Sequence, residues 1–106
     1  MTSRAENTTR RQRGRRTGDC PCCGRVTALT FHHLVPKKLH RRTRFRKHYT
    51  RAELADGIYI CRQCHDGIHR FHDEMTLARL YPTLTSLLED EDLARHFAWV
   101  GRQRRR

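Results

Sequence analysis

The residues of this chain that could carry chemistry lie in two short stretches. One contains the adjacent histidines His32 and His33, which stand just before Pro36. The other contains His65 and His69, which share one face if their segment is helical, because positions i and i+4 are neighbours on a helix. Imidazole nitrogens bind divalent ions and accept protons near neutral pH. The four histidines therefore predict a metal site that cuts phosphodiester bonds.

His32 and His33 lie in a segment that reads as a strand, and adjacent strand residues point to opposite sides. The two imidazoles are therefore expected to do different jobs, unless the backbone is bent. Cleavage of a phosphodiester by water needs a base that takes the water's proton, and positive charge that stabilises the phosphorane and the leaving oxygen. A neutral histidine suits the first task, and a histidine-bound divalent ion suits the second.

The cysteines predict a second, structural metal site. Cys20 to Gly24 has the form Cys-Pro-x-Cys-Gly of a zinc knuckle, in which a tight turn points backbone N–H groups at the thiolates. Two cysteine pairs separated by a few tens of residues make a closed four-thiolate zinc site, here from Cys20, Cys23, Cys61 and Cys64. The odd number of five cysteines, in a chain without an export signal, argues against a disulfide framework.

Other interpretations of these residues stay open. A redox dithiol is disfavoured because that motif normally accompanies a βαβ pattern, which this sequence lacks. Cys22 is left over, although it could replace a cysteine of the first pair as a ligand. His65, next to the second pair, could join the structural site, and His69 with His72 could form only a polar helix face.

Composition points to a small, basic, nucleic-acid-binding protein. The 106 residues fit one domain, and with 36% apolar residues its core is thin enough to need a metal staple. The 23 Lys and Arg against 11 Asp and Glu give a formal charge of +12, which favours a polyanionic partner. No apolar run approaches the ~18–20 residues of a membrane span and no signal peptide is evident, so we expect a cytoplasmic protein without a membrane partner.

The basic charge is concentrated between residues 37 and 51, which hold eight Lys and Arg and no acidic residue. The complete lack of carboxylates favours a surface that tracks phosphates, although a solvated helix face is the alternative. The expected nucleic-acid-binding residues are Lys37, Lys38, Arg41, Arg42, Arg44, Arg46 and Lys47.

Three regions are expected along the chain. Residues 1–18 carry six arginines and predict a disordered basic arm. Residues 19–101 form the folded domain with a C-terminal helical extension, and residues 102–106 form a second basic tail. Within the domain we expect strands at 26–35 and 58–60.

Helices are expected to follow each strand. A capping box at Thr50–Glu53 opens a short helix that ends near residues 56–57. A longer helix begins at about Cys64, and a last one ends at Gly101. On the longer helix an apolar stripe and a histidine stripe lie about 100° apart. The apolar stripe is Cys64, Ile68, Phe71 and Met75, and the histidine stripe is His65, His69 and His72.

The order and spacing of these motifs resemble the HNH endonuclease family. His32-His33 before a proline, then a strand, then Cys61-x-x-Cys64-His65 with His69 one turn on, is similar in particular to the DNase domains of bacterial colicins, and the two Cys-x-x-Cys pairs are similar to those of zinc-stapled HNH enzymes. The resemblance covers about residues 20 to 72. It implies an α+β fold: a small ββα-metal finger of a β-hairpin and a helix, stapled by a four-cysteine zinc site, with additional C-terminal helices.

Carried over to matching positions, the resemblance implies that His33 is the general base. His32 would bind the catalytic divalent ion, which is Mg²⁺, Mn²⁺, Ni²⁺ or Zn²⁺, together with His65 and His69. The family has an asparagine that orients the base histidine about five residues before Cys61, where this chain has Asp56. An aspartate there could accept a hydrogen bond from His33 and stabilise its protonated form.

Two functions follow as expectations. The first is a metal-dependent endonuclease of low sequence specificity that cuts or nicks DNA, with RNA as the other candidate substrate. The second is a zinc-stabilised nucleic-acid-binding module without catalysis. A binding module has no need of the adjacent pair His32-His33, which favours the first.

Overall fold

The computed structural model describes residues 16–103, which contain a three-stranded antiparallel sheet in the order β1-β2-β3. The strands are β1 (Arg16–Asp19), β2 (Val26–His33) and β3 (Gly57–Cys61). The central strand pairs with β1 along residues 26–29 and with β3 along residues 29–33. The expected α+β class is therefore confirmed, with a third strand beside the expected hairpin.

Strand β1 corrects the expected boundary of the disordered arm. Residues 16–18 form strand rather than disorder, while residues 1–15 of that expected arm lie outside the described residues. The strand is polar and mostly exposed, so its hydropathy carries no signal, and its pairing with β2 comes from backbone hydrogen bonds. Arg16 adds a cation–π contact, its guanidinium carbon 4.6 Å from the centroid of the Tyr59 ring.

Strand β2 ends two residues earlier than expected. His33 is its last residue, and Leu34 then donates its backbone N–H to the Asp56 carbonyl at 3.2 Å. Leu34 and Val35 are both buried, so they contribute to the core without extending the ladder. The chain therefore enters the basic segment, residues 37–51, directly beside the start of β3.

The basic segment folds into three short helical pieces. A 3₁₀ turn spans Lys37–Leu39, followed by α1 (Thr43–His48) and α2 (Arg51–Ala55). The capping box is confirmed, because Thr50 N donates to Glu53 Oε1 at 2.7 Å and Glu53 N donates to Thr50 Oγ1 at 3.0 Å. The pieces are held by a small core of their own, whose buried members are Val35, Leu39, Phe45, Leu54 and Ala78.

Helix α3 (Arg62–Phe71) follows β3 without a loop. It begins two residues before the expected start, because Cys61 caps its N-terminus by accepting a hydrogen bond from Cys64 N at 3.4 Å. Its end also differs from expectation. Cys64 and Ile68 are fully buried, but Phe71 is 45% exposed and Met75 lies on the next helix, so the expected apolar stripe is wrong in its second half.

Three further helices complete the described chain: α4 (Glu74–Leu80), α5 (Leu84–Glu89) and α6 (Glu91–Gly101). Helix α6 packs against α3, where the His96 ring occupies the space that a side chain at Gly67 would need. His96 Nε2 also donates to the Gln63 carbonyl at 2.9 Å. Leu93, Phe97 and Val100 of α6 are buried in the main core. No helix within residues 16–103 is long and apolar enough to cross a membrane.

Candidate metal centres

Four cysteines come together where the turn after β1 meets the end of β3 and the start of α3. The sulfur atoms of Cys20, Cys23, Cys61 and Cys64 all lie within 4.8 Å of one another. Cys20 and Cys23 flank the turn after β1, where Gly24 has a φ of 84° that L side chains rarely adopt. Cys61 ends β3 and Cys64 lies on the first turn of α3. The group can hold a metal ion.

Nitrogen donors point at two of these four sulfurs. The backbone N–H of Cys61 donates to Cys20 Sγ at 3.4 Å, and Arg25 Nη2 lies 3.4 Å from Cys61 Sγ. Hydrogen bonds from the Cys22 thiol, and then from Cys61 and Cys64, hold the pKa of Cys20 well below its usual range, and the bonds to Cys20 raise the pKa of Cys61 and Cys64. Donors aimed at sulfur stabilise the charged form that zinc requires, so the donor set fits a structural zinc ion.

Cys22 lies beside this cluster but is not one of the four. It is half-buried and packs against the main core. The hydrogen bond of its thiol to Cys20 raises its pKa, which keeps the thiol neutral. The four cysteines of the two Cys-x-x-Cys pairs therefore form the group, and Cys22 supports it as a donor.

Three histidines form a second group beside the first, because His65 directly follows Cys64 on α3. The nitrogens of His32, His65 and His69 lie within 4.8 Å of one another. The ring centroids are 5.2 Å apart for His32 and His65, 5.4 Å for His32 and His69, and 5.1 Å for His65 and His69. His32 comes from β2 and the other two from α3, so the pairing of strand and helix creates the group.

His32 gives the clearest sign that this group fits a metal. Its side chain is 1% exposed, and neither ring nitrogen has a hydrogen-bond partner among the described residues. A buried polar atom without a partner is costly and rare in native proteins. Burial, and then the charges of His65 and His69, lower the pKa of His32 to about 3, so its nitrogens keep a lone pair for a cation.

Thr30 fixes which nitrogen of His65 faces the group. The Thr30 hydroxyl donates its one proton to the Ile60 carbonyl at 3.0 Å, and its oxygen lies 2.8 Å from His65 Nδ1. Because the hydroxyl proton is used, Nδ1 must be the donor and Nε2 carries the lone pair. Burial is the main cause that lowers the pKa of His65 to about 4, so its ring is neutral near pH 7. An acceptor behind a histidine is the usual support of a metal ligand.

His33 points away from the side that His32 occupies, as strand alternation requires. Its ring contacts Phe31 at 4.9 Å and His40 at 5.5 Å between centroids. It nevertheless adjoins the histidine group, because it directly follows His32 in β2. His33 also lines a cleft that has a volume of about 500 Å³.

Asp56 lies near the backbone of His33. The strand register pairs His33 with Gly57, and the Asp56 carbonyl accepts the backbone N–H of Leu34. A side chain at position 57 would collide with the His32 carbonyl and the Phe31 ring, so only glycine allows this close pairing. Asp56 is half-buried at this crossing.

Residues 20–71, about half of the chain, match the family model described as HNH endonuclease. This chain belongs to the HNH endonuclease family. Comparison with curated proteins and with solved structures gave no match. HNH membership indicates a nuclease or nucleic-acid-binding function, and it implies a nucleic-acid substrate.

The HNH segment ends at Phe71, and the structure separates His72 from the histidine group. His72 Nε2 lies 3.1 Å from Asp90 Oδ2, and its ring packs against Tyr81 at 4.6 Å between centroids. Tyr81 donates its hydroxyl to the other oxygen of Asp90 at 2.6 Å. His72 therefore joins α3 to the C-terminal helices of this HNH protein.

All seven basic residues expected to bind nucleic acid are exposed on the segment inserted between the two strands of the HNH ββα unit. Leu39 and Phe45 of the same segment are buried beneath them. The surface is therefore ordered by its own apolar contacts and presents its cations outward. These residues are Lys37, Lys38, Arg41, Arg42, Arg44, Arg46 and Lys47.

Sequence reasoning missed three residues around the HNH site. Thr30 supports His65, Arg25 contacts Cys61 and donates to Gln63 Oε1 at 2.8 Å, and His40 contacts His33. Only Thr30 had a usable signal, because it stands two residues before His32 and strand alternation places both on one side. His40 had no such signal, because its position depends on the fold, where its Nε2 donates to the Val35 carbonyl at 2.6 Å.

Proposed function

We propose that this protein is a metal-dependent endonuclease that hydrolyses DNA phosphodiester bonds with low sequence specificity. The observation that carries the proposal is the position of His33, one residue after the buried ligand His32 and beside a three-histidine group whose third member, His69, is exposed. A group that is buried on one side and exposed on the other can hold an ion and still admit a phosphate. A purely structural group has no use for the open side.

In this proposal His33 accepts the proton of the attacking water. An imidazole can accept a proton near neutral pH, and His33 lines a cleft that is open to solvent. Asp56 acts as the positioning residue for His33, in the place where the family has asparagine, and its carboxylate favours the protonated ring after proton transfer.

His32, His65 and His69 would hold the catalytic divalent ion, and Mg²⁺, Mn²⁺, Ni²⁺ and Zn²⁺ are the candidates. Such an ion supplies positive charge to a phosphodiester that gains negative charge during cleavage. The chain's part is to keep two of these rings neutral by burial and to orient His65 through Thr30. The four cysteines would hold the structural zinc ion that fixes α3.

The exposed cations of the basic segment would grip DNA through its phosphates. Phosphate contacts fix the position of a protein on the duplex without reading its sequence, which is why low specificity is expected. The formal charge of +12 predicts strong dependence of binding on salt. RNA presents the same phosphates and remains the other substrate candidate.

The same cations support a second candidate function, a zinc-stabilised nucleic-acid-binding module without catalysis. The basic segment is fully formed without any contribution from the histidine group. The two functions make opposite predictions for His33. A nuclease without this ring keeps its binding and loses turnover, whereas a binding module has no turnover to lose.

The test is nicking of supercoiled plasmid by zinc-loaded protein with Mg²⁺, Mn²⁺, Ni²⁺ or Zn²⁺, or with chelator. We expect metal-dependent nicking that falls by about 100-fold or more in His33→Ala, in line with the loss of a general base. His48→Ala, which removes an exposed histidine from α1, is the matched control and is expected to keep turnover. Circular dichroism and zinc content show that each variant is folded.

Binding of the same plasmid, measured by gel shift, completes the test. If His33→Ala binds as the wild type does but no longer cuts, the assignment of the base stands. If the wild type binds DNA but cuts with none of the four ions, the endonuclease proposal is wrong and the binding module replaces it. A chelator-resistant activity would show that the cleavage comes from a contaminant or from another mechanism.

A further inference from the structure

We propose that the cleft beside His33 is a nucleotide subsite that receives an unstacked nucleotide next to the scissile phosphate. The inference rests on the proposed function and adds a substrate class to it: DNA that carries an unpaired or easily extruded nucleotide at the cleavage site. The cleft has a volume of about 500 Å³, which is within the range of pockets that bind small organic ligands. A lone phosphate would leave most of that space to water.

The cations that line the cleft suit a phosphate. Lys37, Arg46 and Arg51 line it, and none of the residues that line it is acidic. These cations come from three separate helical pieces, the 3₁₀ turn, α1 and α2, so they surround the space from different directions. Arginine and lysine arranged in this way bind phosphate oxygens through charge-assisted hydrogen bonds.

The other lining residues suit a base. Tyr49 and Leu54 give the cleft an apolar wall, and Tyr49 is half-buried. Its ring stacks on the buried Phe45, with centroids 6.1 Å apart and planes 18° from parallel. A base that stacks on Tyr49 would extend an aromatic stack that already exists. Stacking of this kind tolerates any base, as a nuclease of low specificity requires.

The position of the cleft relates this nucleotide to the chemistry. His33 and His40 line the same space, and His33 directly follows His32 of the three-histidine group in β2. His40 is fixed by its 2.6 Å hydrogen bond to the Val35 carbonyl, so the wall behind His33 is preorganised. A strand whose scissile phosphate reaches His33 therefore places its neighbouring nucleotide in the cleft. In a regular duplex that nucleotide is stacked and paired, so it must leave the helix to enter.

Titration of zinc-loaded, isotope-labelled protein by NMR tests the site without any cleavage. The probes are thymidine 5′-monophosphate, inorganic phosphate and thymidine. We expect the monophosphate to bind more tightly than either fragment and to shift the signals of Tyr49 and Leu54. Tyr49→Ala should weaken the monophosphate by about tenfold and leave phosphate unchanged, because it removes only the stacking contact.

Two further variants keep this test decisive. Arg46→Gln should weaken both the monophosphate and phosphate, and Arg79→Ala, which removes an exposed cation outside the cleft, should weaken neither. If Tyr49→Ala does not fold, the response of Arg46→Gln decides the result. The subsite is wrong if phosphate binds as tightly as the monophosphate, or if the Arg46 and Arg79 variants behave alike.

Cleavage assays then test the subsite proposal and the nuclease proposal independently of each other. Wild type should cut a duplex that carries one extrahelical thymidine faster than the fully paired duplex, and Tyr49→Ala should lose that preference. Monophosphate binding that depends on Arg46, in a protein that never cuts DNA, would support the subsite and refute the nuclease. Cutting without preference and without monophosphate binding would refute the subsite and leave the nuclease intact.

Discussion

The four-cysteine group and the three-histidine group are built from the same parts and differ in their exposure. Each joins residues from outside α3 to residues on its first two turns, and in each the ligand atoms lie within 4.8 Å of one another. Cys20, Cys61 and Cys64 are buried and Cys23 is half-buried, so the first group is closed. The histidine group has a buried member, a half-buried member and an exposed one.

This difference separates the two tasks that metals perform in proteins. A closed set of four thiolates satisfies its ion completely and contributes to folding, whereas a set of three histidines with an open side leaves positions for a substrate. The histidine group also depends on the cysteine group for its position. Cys64 and His65 are adjacent on α3, so the cysteine group sets the position of the helix that carries His65 and His69.

Removal of a cysteine should therefore have the largest effect of any single change. In Cys64→Ser the closed site loses a ligand that is 0% exposed, and a structural zinc site is worth about 10–16 kcal/mol in small domains. This exceeds or equals the whole stability of a typical domain. We expect loss of zinc and of the cooperative unfolding transition, measured by metal analysis and by circular dichroism during urea titration.

Cys22→Ser is the matched control, since it makes the same chemical change at the fifth cysteine, which lies outside the group of four. It should retain one zinc ion per chain and a cooperative transition. Retention of zinc and folding by Cys64→Ser would contradict the comparison, because the group would then not support the fold.

Removal of the exposed member of the histidine group should affect function and leave the fold intact. His69→Ala changes a solvent-exposed helical position, where substitutions usually alter stability by no more than about 0.5 kcal/mol. Its loss breaks the three-histidine group, so affinity for Ni²⁺ or Co²⁺ should fall at least about 100-fold and plasmid nicking should disappear. Isothermal titration of zinc-loaded protein measures the affinity.

An unchanged affinity in His69→Ala would show that the histidines do not act as a ligand set. Loss of the structural zinc in the same variant would show instead that the two groups are not separate sites. Either result would overturn the division of tasks between closed and open groups.

Thr30 offers a finer test of the open group. Thr30→Val keeps the shape of the side chain and removes the oxygen that accepts the His65 Nδ1 proton at 2.8 Å. The ring then loses its fixed tautomer and orientation, which should lower affinity for the divalent ion about 10- to 100-fold while zinc and folding are kept. Thr30→Ser restores the acceptor and should recover most of the affinity. Equal affinities for the valine and serine variants would refute the role of the hydroxyl.

The parts of the site that were predictable from sequence depend on short-range spacing. Two cysteines three residues apart, and two histidines four residues apart on a helix, are brought together by local geometry alone. The capping box at residues 50–53 is local in the same sense, and it is confirmed. His32 was placed with His65 and His69 only by the family resemblance, because nothing local joins β2 to α3.

What was not predictable depends on contacts across the fold. The end of α3 was placed too late because the apolar spacing continues to Met75, whereas the chain starts a new helix at Glu74 under the cap of Asp73. Strand β1 had no apolar pattern, because it pairs only through its backbone. The contact of His40 with His33 arises from a hydrogen bond to Val35 five residues earlier, which composition cannot reveal.

His72 provides the smallest predicted effect and limits the open group to three members. It continues the histidine stripe of α3 in sequence, but its ring bonds to Asp90, whose carboxylate also accepts from the Tyr81 hydroxyl and the Leu93 N–H. His72→Gln should therefore leave both metal sites unchanged and lower the free energy of unfolding by about 1 kcal/mol, the usual worth of one hydrogen bond. Urea titration measures the stability, and titration with Ni²⁺ measures the site. A loss of Ni²⁺ affinity as large as that of His69→Ala would make His72 a ligand, and the exposed side of the group would then be closed by a fourth histidine.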